Sequence, residues 1–410
     1  MTDFPVTCFV LQDHLARGGA ARAANRWADL LHLKVFRIQK IVGDENPGSG
    51  YCLTGKPDRG WGRICECFTD RSEHRRASVH RQFGMLLAKE KPDLVWVHNL
   101  AGGGKWGWSE GLVSMSRQHA PVIWTLHDMW ALGRSDQAYW DENPGKVEGE
   151  RMQGINRSKK EGAAVGERGE SRVKRICGEP GMHPVTLTAP SNWLAKLTLK
   201  TAGQSCACLP NPIDLEFYSP GDRAEARHRL GLPEQGLVVL AGADSLQDPR
   251  KGFDLLLEAW ERLCPRDATL ALFGRHGKKK KGQVYLGSLT SDRQMVTAYR
   301  AADLYVHPAR QENAPCTIQE SLACGTPVLA FGVGGIPEMV VPGNTGFLAG
   351  EVSACSMSEE LGRLLANSEK LERMRSDCRR FAEDKWDPKK LKGRFEEITG
   401  EMVPGSKAKR

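Results

Sequence analysis

The sequence lacks any apolar run long enough to cross a membrane. None of its hydrophobic stretches reaches the roughly 18 consecutive apolar residues that a spanning helix needs. Its first residues, Met1 to Leu11, read as a first strand and lack the basic segment and the small-residue cleavage site of a signal peptide. We therefore expect a cytoplasmic protein, with peripheral association at the inner face of the membrane as an open alternative.

The sequence also lacks a cysteine pattern of the kind that holds zinc or a disulfide framework. Its twelve cysteines are scattered. The two close pairs, Cys65-x-Cys67 and Cys206-x-Cys208, have no second pair at zinc spacing. We expect free thiols in a reducing compartment and no bound metal.

Positive charge is in moderate excess. The formal net charge of +8 admits nucleic acid, an anionic membrane surface or a phosphorylated substrate as a partner. The basic runs are dispersed and lack both interleaved aromatic residues and a nucleic-acid motif, so we expect no nucleic-acid partner. Solvated loops are the simplest reading of these runs, and an anionic membrane surface is the second.

What the chain does have is an alternation of short β-branched runs with helical stretches. A length of 410 residues favours two domains, and the alternation predicts parallel sheets of βαβ units, an α/β fold. Between residues 145 and 181 the sequence is polar and shows no helix or strand period, which predicts a long loop or a partly disordered insertion. The predicted strands are 6–11, 94–97, 122–126, 185–188, 237–240, 269–273, 303–306 and 327–330.

The most informative segment is Glu312-Asn-Ala-Pro-Cys-Thr-Ile-Gln-Glu320. Pro315 disfavours a helix before it, so Glu312 falls in a loop and Glu320 in the helix that follows. Carboxylates that accept sugar hydroxyls, beside helix-start amides that attract phosphate, suit a nucleotide-sugar. The residues predicted to line the donor at this helix start are Ala314, Cys316 and Thr317.

Residues 297–348 resemble the C-terminal domain of the family 4 retaining glycosyltransferases, also called group 1. The matching motifs are 301–308, the glutamates at 312 and 320, 323–328, 334–338 and 343–346. The resemblance implies the GT-B fold, in which two Rossmann-like, doubly wound parallel-sheet domains face a cleft and a C-terminal helix crosses back to the first domain. It implies an acceptor-side domain over 1–208, a donor-binding domain over 209–385, a helix over 386–400 that packs on the first domain, and a basic tail over 401–410.

The segment Asp248-Pro-Arg-Lys-Gly252 puts two cations at a junction between a loop and a helix. Arg250 is suited to bidentate binding of a diphosphate and Lys251 acts as a point charge, although a solvated basic turn explains both residues equally well. By resemblance, Lys251 neutralises the leaving nucleotide diphosphate. The family often has an arginine shortly after the preceding strand, where this chain has residues 242–244, and we expect Arg250 to compensate.

Two further motifs follow predicted strands of the first half. Gly18-Gly19 lies between the first strand and the first helix, where ligands bind in parallel sheets, but a tight turn needs glycine in any case. His127 follows the strand at 122–126, and a lone histidine there is often a structural residue. By resemblance, the glycine pair contributes to the cleft and His127 lies beside the donor sugar. Asp128 either fixes the imidazole tautomer or caps the following turn.

The resemblance assigns roles and a reaction. Glu320 is expected to bind the ribose hydroxyls of the donor, and Glu312 the donor sugar. The expected activity is that of a retaining, metal-independent hexosyltransferase that moves a sugar from a nucleotide-diphosphate-sugar to a hydroxyl of a glycan or lipid-linked glycan, as in cell-surface polysaccharide biosynthesis. We expect no cofactor, because lysine, arginine and helix amides can stabilise the diphosphate charge.

Two other functions remain open at this point. One is a non-catalytic GT-B protein that binds a sugar-nucleotide or a membrane. The other is a different GT-B enzyme, such as a nucleotide-sugar epimerase or a sugar phosphorylase. The donor base, the sugar and the acceptor are not specified by the sequence, since one fold hosts many such choices.

Overall fold

The structure is a computed structural model, and it describes residues 6–12, 18–39, 50–53, 71–98, 100, 108–133, 171–181, 183–277 and 282–400. The described residues form two compact units. The first contains those up to Pro212, together with those from Lys389 onward. The second runs from Ile213 to Pro388.

The first unit is a parallel sheet with helices between its strands. Its described elements, in chain order, are β1 (Thr7–Gln12), α1 (Gly19–Leu30), β2 (Lys34–Gln39), β3 (Gly50–Cys52), α2 (Arg71–Glu90), β4 (Leu94–Val97), α3 (Gly111–Ser116), β5 (Val122–Thr125), α4 (Arg172–Gly178), β6 (Val185–Ala189), α5 (Asn192–Ala202) and β7 (Ala207–Cys208). The seven described strands are ordered β3-β2-β1-β4-β5-β6-β7, and every neighbouring pair is parallel.

The second unit repeats this architecture. Its described elements are α6 (Arg223–Leu230), β8 (Leu237–Ser245), α7 (Phe253–Leu263), β9 (Ala268–Arg275), β10 (Gln283–Gly287), α8 (Asp292–Ala301), β11 (Leu304–His307), α9 (Cys316–Ala323), β12 (Val328–Phe331), β13 (Gly346–Ala349), α10 (Ala354–Leu365) and α11 (Ser368–Trp386). The six described strands are ordered β10-β9-β8-β11-β12-β13 and are all parallel.

Both sheets are doubly wound, so each has a point where the strand order reverses. The reversal falls between β1 and β4 in the first unit and between β8 and β11 in the second. Ligands of such sheets bind outside the carboxyl ends of the strands at this point. The predicted α/β class with two Rossmann-like sheets is confirmed, and the motifs of residues 297–348 all lie in the second unit.

The last helix, α12 (Pro388–Thr399), completes the first unit. Its Phe395 is buried and its ring centroid lies 5.1 Å from that of Trp96 on β4 and 5.7 Å from that of Trp27 on α1. Aromatic contacts of this kind add about 1 kcal/mol each beyond the burial of their area. The prediction that the C-terminal helix returns to the first domain is confirmed.

The segment predicted as a loop over 145–181 departs from that prediction at its end. Residues 134–170 lie outside the described part of the chain. Arg172–Gly178 forms α4, whose start is capped by Ser171 accepting from the amide of Lys174. Val173 and Ile176 of this helix are buried and lie three residues apart. Two apolar residues are too few to show a helical period in the sequence.

No helix among the described residues is long and apolar enough to span a membrane.

Candidate functional site

The turn that carries Lys251 sits directly beyond β8. A 3-10 helix (Pro249–Lys251) follows β8, and the Asp248 side chain caps it by accepting from the amide of Arg250 at 3.0 Å. Gly252 ends the turn at a φ of 65°. A Cβ on Gly252 would lie 1.9 Å from the carbonyl oxygen of Pro308, so only glycine allows this approach. The turn is thereby held against the chain that leaves β11.

That approach brings Lys251 to Glu312. The ammonium Nζ of Lys251 donates a hydrogen bond to Oε2 of Glu312, and the two side chains are 27% and 13% exposed. His307, the last residue of β11, has its Nε2 3.7 Å from the same oxygen. The structure therefore brings together two of the predicted catalytic residues and adds a histidine that the sequence had shown only as part of a motif.

The electrostatics of this cluster favour an ionised Glu312. Burial by itself would raise the pKa of Glu312, but the charge of Lys251 lowers it well below its ordinary value. Burial lowers the pKa of His307, against the raising effect of Glu312. Glu312 is thus a carboxylate and His307 a neutral imidazole at neutral pH.

The second nitrogen of His307 faces two hydroxyl groups. Its Nδ1 lies 3.4 Å from Oη of Tyr305 and 3.4 Å from Oγ1 of Thr317. Thr317 belongs to the first turn of α9, so the imidazole connects Glu312 to the start of that helix. Of the residues predicted at the helix start, Cys316 is buried, whereas Ala314 and Thr317 are half-buried. Pro315, the residue before the helix, makes no side-chain capping bond, and its carbonyl accepts from the amides of Ile318 and Gln319.

Glu320 lies on α9 and is completely buried. The phenol of Tyr299 on α8 donates a hydrogen bond to Oε2 of Glu320 at 3.1 Å. The backbone carbonyl of Tyr299 accepts in turn from Oγ1 of Thr326 at 2.7 Å. These contacts fix one carboxylate oxygen of Glu320. Sequence reasoning missed Tyr299, because nothing in the spacing of 21 residues marks the pair.

The second predicted cation is paired within its own turn. The guanidinium of Arg250 binds the Asp248 carboxylate, with Nη2 2.7 Å from Oδ2. Sequence reasoning missed a second arginine, which stabilises the turn. Arg310 donates to both carboxylate oxygens of Asp254 at 2.6 Å and to the carbonyl of Pro249 at 2.9 Å. The hydrogen bond from Arg310 is the main cause that lowers the pKa of Asp254.

In the first unit, His127 forms a pair with a second histidine. Nε2 of His127 is 3.0 Å from Nδ1 of His98, the residue after β4, and the rings are stacked with centroids 5.3 Å apart. Burial lowers the pKa of His127 to about 4. Burial, and then the neighbouring His127, lower the pKa of His98 well below its ordinary value. His98 was missed because a strand followed by a single histidine is an ordinary pattern.

The two remaining predictions in this unit concern Gly18 and Asp128. Gly18 precedes α1 with a φ of 87°, and a Cβ built there meets no atom within 4 Å, so conformation rather than space favours glycine. Gly19 is the first residue of α1. Asp128 accepts from the amide of Trp130 at 2.9 Å, which is the capping role that the sequence had left open.

Three or more His, Cys, Asp or Glu side chains placed to hold a metal ion do not occur together among the described residues. The expectation that no metal is required therefore stays a prediction. The role of each site residue likewise stays a prediction.

Part of the second unit matches a known protein family. Residues 222–381 match the family described as Glycosyl transferases group 1. A D-inositol 3-phosphate glycosyltransferase of Nocardia farcinica is 28% identical over 311 residues, which cover 70% of this chain and 63% of the relative. One from Catenulispora acidiphila is 32% identical over 192 residues, 42% of this chain and 46% of the relative. The matched part thus spans less than two thirds of these relatives.

Solved structures with the same fold cover nearly the whole chain. Sucrose-phosphate synthase from Thermosynechococcus elongatus has a TM-score of 0.69 at 18% identity, over 96% of this chain and 98% of that one. HepE of Anabaena, solved with UDP-glucose, has a TM-score of 0.65 at 16% identity, over 95% and 98%. WaaG, a glycosyltransferase involved in lipopolysaccharide biosynthesis, has 0.64 at 18%, over 96% and 100%. At these identities the likeness concerns the GT-B fold alone.

Proposed function

We propose, on the premise that residues 222–381 belong to the group 1 glycosyl transferases, that this protein is a retaining glycosyltransferase. It moves a sugar from a nucleotide-diphosphate-sugar to a hydroxyl of a glycan or lipid-linked glycan. The observation that carries the proposal is the ion pair between Lys251 and Glu312 beside His307. It lies at the carboxyl edge of the second sheet, next to the reversal of strand order where such sheets bind nucleotides.

In the proposed reaction, Lys251 holds the diphosphate. Its ammonium is already placed by Glu312 before any ligand binds, so little reorganisation is needed when phosphate oxygens arrive. The amides at the start of α9 add partial positive charge, and Arg250 adds a guanidinium that it shares with Asp248. This arrangement supplies charge stabilisation for the leaving group without a divalent ion, and we propose that activity survives treatment with EDTA.

The carboxylates of Glu320 and Glu312 accept hydrogen bonds from hydroxyl groups of the donor. We assign the ribose hydroxyls to Glu320, whose Oε2 is fixed by Tyr299, and the donor sugar to Glu312 and His127. Gly18 and Gly19 let the backbone approach the ligand. Retention of configuration follows the resemblance: the leaving diphosphate and the incoming hydroxyl use the same face of the ring.

The acceptor is the least determined part of the proposal. The two curated relatives carry D-inositol 3-phosphate in their names, which makes it the first small acceptor to test. A lipid-linked glycan would bring the protein to the inner face of a membrane, where basic runs favour anionic headgroups.

The experiment is a donor hydrolysis and transfer assay. Purified full-length protein is incubated with UDP-glucose, UDP-N-acetylglucosamine, GDP-mannose or ADP-glucose, with and without D-inositol 3-phosphate, and nucleotide release is measured. We expect release from one donor, acceleration by a suitable acceptor, and loss in Lys251→Met but not in the surface control Lys385→Met. Binding of a donor without any release would support a non-catalytic protein and overturn the proposal.

A further inference from the structure

A row of buried polar side chains crosses the carboxyl edge of the first sheet. Leu11 pairs with Val97 and Val97 with Trp124, so the next residues in register are Gln12, His98 and Thr125. Thr125 pairs in turn with Thr188 on β6. The four polar side chains are at most 2% exposed. Residues in register on parallel strands share one face of the sheet.

Half of this row is satisfied within the fold. Oγ1 of Thr125 accepts from Nε1 of Trp96 at 2.8 Å and lies 2.8 Å from Oγ1 of Thr188. Nδ1 of His98 is bonded to His127, as described above. These contacts account for the threonines and for one nitrogen of His98.

The other half is not satisfied. Within the described part of the chain, the amide oxygen and the amide nitrogen of Gln12 and the Nε2 of His98 have no hydrogen-bond partner. Buried polar groups are almost always paired, and leaving them unpaired destabilises the folded state. A sequence that keeps a fully buried glutamine and histidine in this condition has a reason other than stability.

The place of these groups points to a ligand. Gln12 ends β1 and His98 follows β4, so the two stand on either side of the reversal of strand order in the first sheet. This is where doubly wound sheets bind ligands. An amide offers both a donor and an acceptor, and a neutral imidazole nitrogen is one or the other. A hydroxyl group can pair with either, whereas an anion needs donors alone.

We propose that Gln12 and the Nε2 of His98 form a subsite for the hydroxyl groups of a sugar or another polyol ring. The choice of a sugar rests on the proposed function. The ring belongs either to the donor or to the acceptor, and both present the same chemistry to this edge.

The pair of histidines couples this subsite to His127. If a ligand hydroxyl donates to Nε2 of His98, then His98 carries its proton on Nδ1 and donates to Nε2 of His127. If the hydroxyl accepts from Nε2 of His98, then His127 donates to Nδ1 of His98. Binding therefore selects one arrangement of protons across the pair, and His98 acts as a positioning residue for His127.

The test uses full-length protein with 15N-labelled histidine, because the nitrogen shifts of imidazole report which ring nitrogen carries the proton. UDP, UDP-glucose, glucose and D-inositol 3-phosphate are added in turn. We expect at least one of the three probes that carry a sugar or polyol to shift the Nε2 signal of His98, whereas UDP leaves it in place. The signal of His80, which contacts Ser109 at 3.1 Å, is the internal control.

Variants separate the subsite from the histidine pair. His98→Asn keeps an amide near the position of Nδ1, and His98→Gln places one near Nε2. We expect Gln12→Met and His98→Asn to lower the affinity for the probe that shifts the His98 signal at least fivefold. The melting temperature of each variant should be unchanged or higher. His98→Gln should retain more affinity than His98→Asn. His80→Gln should bind like the wild type.

Two results would overturn the subsite. One is that none of the three probes moves the His98 signal. The other is that Gln12→Met lowers the melting temperature and leaves affinity unchanged, which would make Gln12 a structural residue. If neither UDP nor any nucleotide-sugar binds, that result counts against the proposed function. The subsite is still tested in that case by the response of the His98 signal to glucose or to D-inositol 3-phosphate.

Discussion

Lys251 and Glu312 stand 61 residues apart in the chain and form an ion pair at the carboxyl edge of the second sheet. The backbone contact between Gly252 and Pro308 and the bidentate bond between Arg310 and Asp254 hold the two loops that carry them. The cation is consequently placed before a ligand binds. A positive charge that is already in place stabilises the negative charge developing on the diphosphate more than a positive charge that must first move into position.

Removal of the Lys251 charge should reduce catalysis. We expect Lys251→Met to lower kcat/KM for the active donor by about 10²–10³-fold, the usual effect of losing one preorganised charge or donor. Steady-state nucleotide release measures this, and a melting curve checks the fold. Lys385→Met, at an exposed position on α11, should stay near wild type. Wild-type kinetics in Lys251→Met would remove Lys251 from the mechanism.

Acid should weaken the contribution of Glu312 to stability. Its pKa in the folded protein lies below the unfolded value, so its stabilising effect is fully present above about pH 4.3 and is lost as the pH falls. The free energy of unfolding of both proteins is measured in urea from pH 7 to pH 3. At neutral pH the wild type should have the larger value and Glu312→Gln the smaller one. The two curves should converge in acid. A constant difference across this range would contradict the assigned cause.

His127, which is half-buried in the first unit, gives a separate acid response. The pKa of His127 is about 4 in the folded protein, against about 6.5 when unfolded, so the folded state binds fewer protons. Stability is complete above about pH 6.5 and falls as the pH drops toward 4, by about 3 kcal/mol in all. His127→Gln should lose this part of the pH dependence. Urea titrations between pH 7 and pH 4 check it, and identical slopes in both proteins would refute it.

Tyr299 should affect donor binding more than the chemical step. Its hydroxyl fixes Oε2 of Glu320, and leaving a buried polar group without its hydrogen-bond partner costs about 1–3 kcal/mol. We expect Tyr299→Phe to raise KM for the nucleotide-sugar roughly tenfold or more with little change in kcat. Tyr285→Phe removes a phenol that is bonded to the carbonyl of Gly274 and is the matched control. Equal effects in the two variants would show that Tyr299 acts through the fold.

Gly252 should tolerate no side chain. Gly252→Ala combines a left-handed backbone with a contact of 1.9 Å to the oxygen of Pro308, so we expect a loss of about 2 kcal/mol or more and a lower melting temperature. Gly393→Ala, in α12 with no atom within 4 Å of the new Cβ, should stabilise the protein by up to about 1 kcal/mol. Equal melting temperatures for the two variants would contradict this reading of the turn.

The sequence predicted the parts of the site that carry local signals. The strands at β4, β5, β8 and β11 and the helix after Pro315 follow from apolar runs and from proline, and they positioned Lys251, Glu312 and Glu320 correctly on their elements. The pairing of Lys251 with Glu312 is a different matter. It depends on β8 and β11 being neighbours, which is a property of the sheet order rather than of either segment.

The residues that sequence reasoning missed act through tertiary contacts. Tyr299, Arg310 and His98 have no distinctive neighbours in the chain, and each gains its partner only when separate elements meet. The helix α4 was missed for a similar reason. Its two buried residues are too few for a period, and its cap at Ser171 follows a polar stretch that predicted a loop.

The ring contacts of Phe395 bear on how the chain is made. The first sheet begins at residue 7, but the helix that covers Trp96 and Trp27 with Phe395 comes from the last residues of the described chain. During translation, every described strand of the first unit is therefore synthesised before Phe395, the side chain that completes its core. The described residues of the second unit all come from one stretch of the sequence, Ile213 to Pro388, so this unit can fold during synthesis while the tryptophans of the first unit are still uncovered. Deletion of the last helix should therefore cause aggregation of the newly synthesised protein.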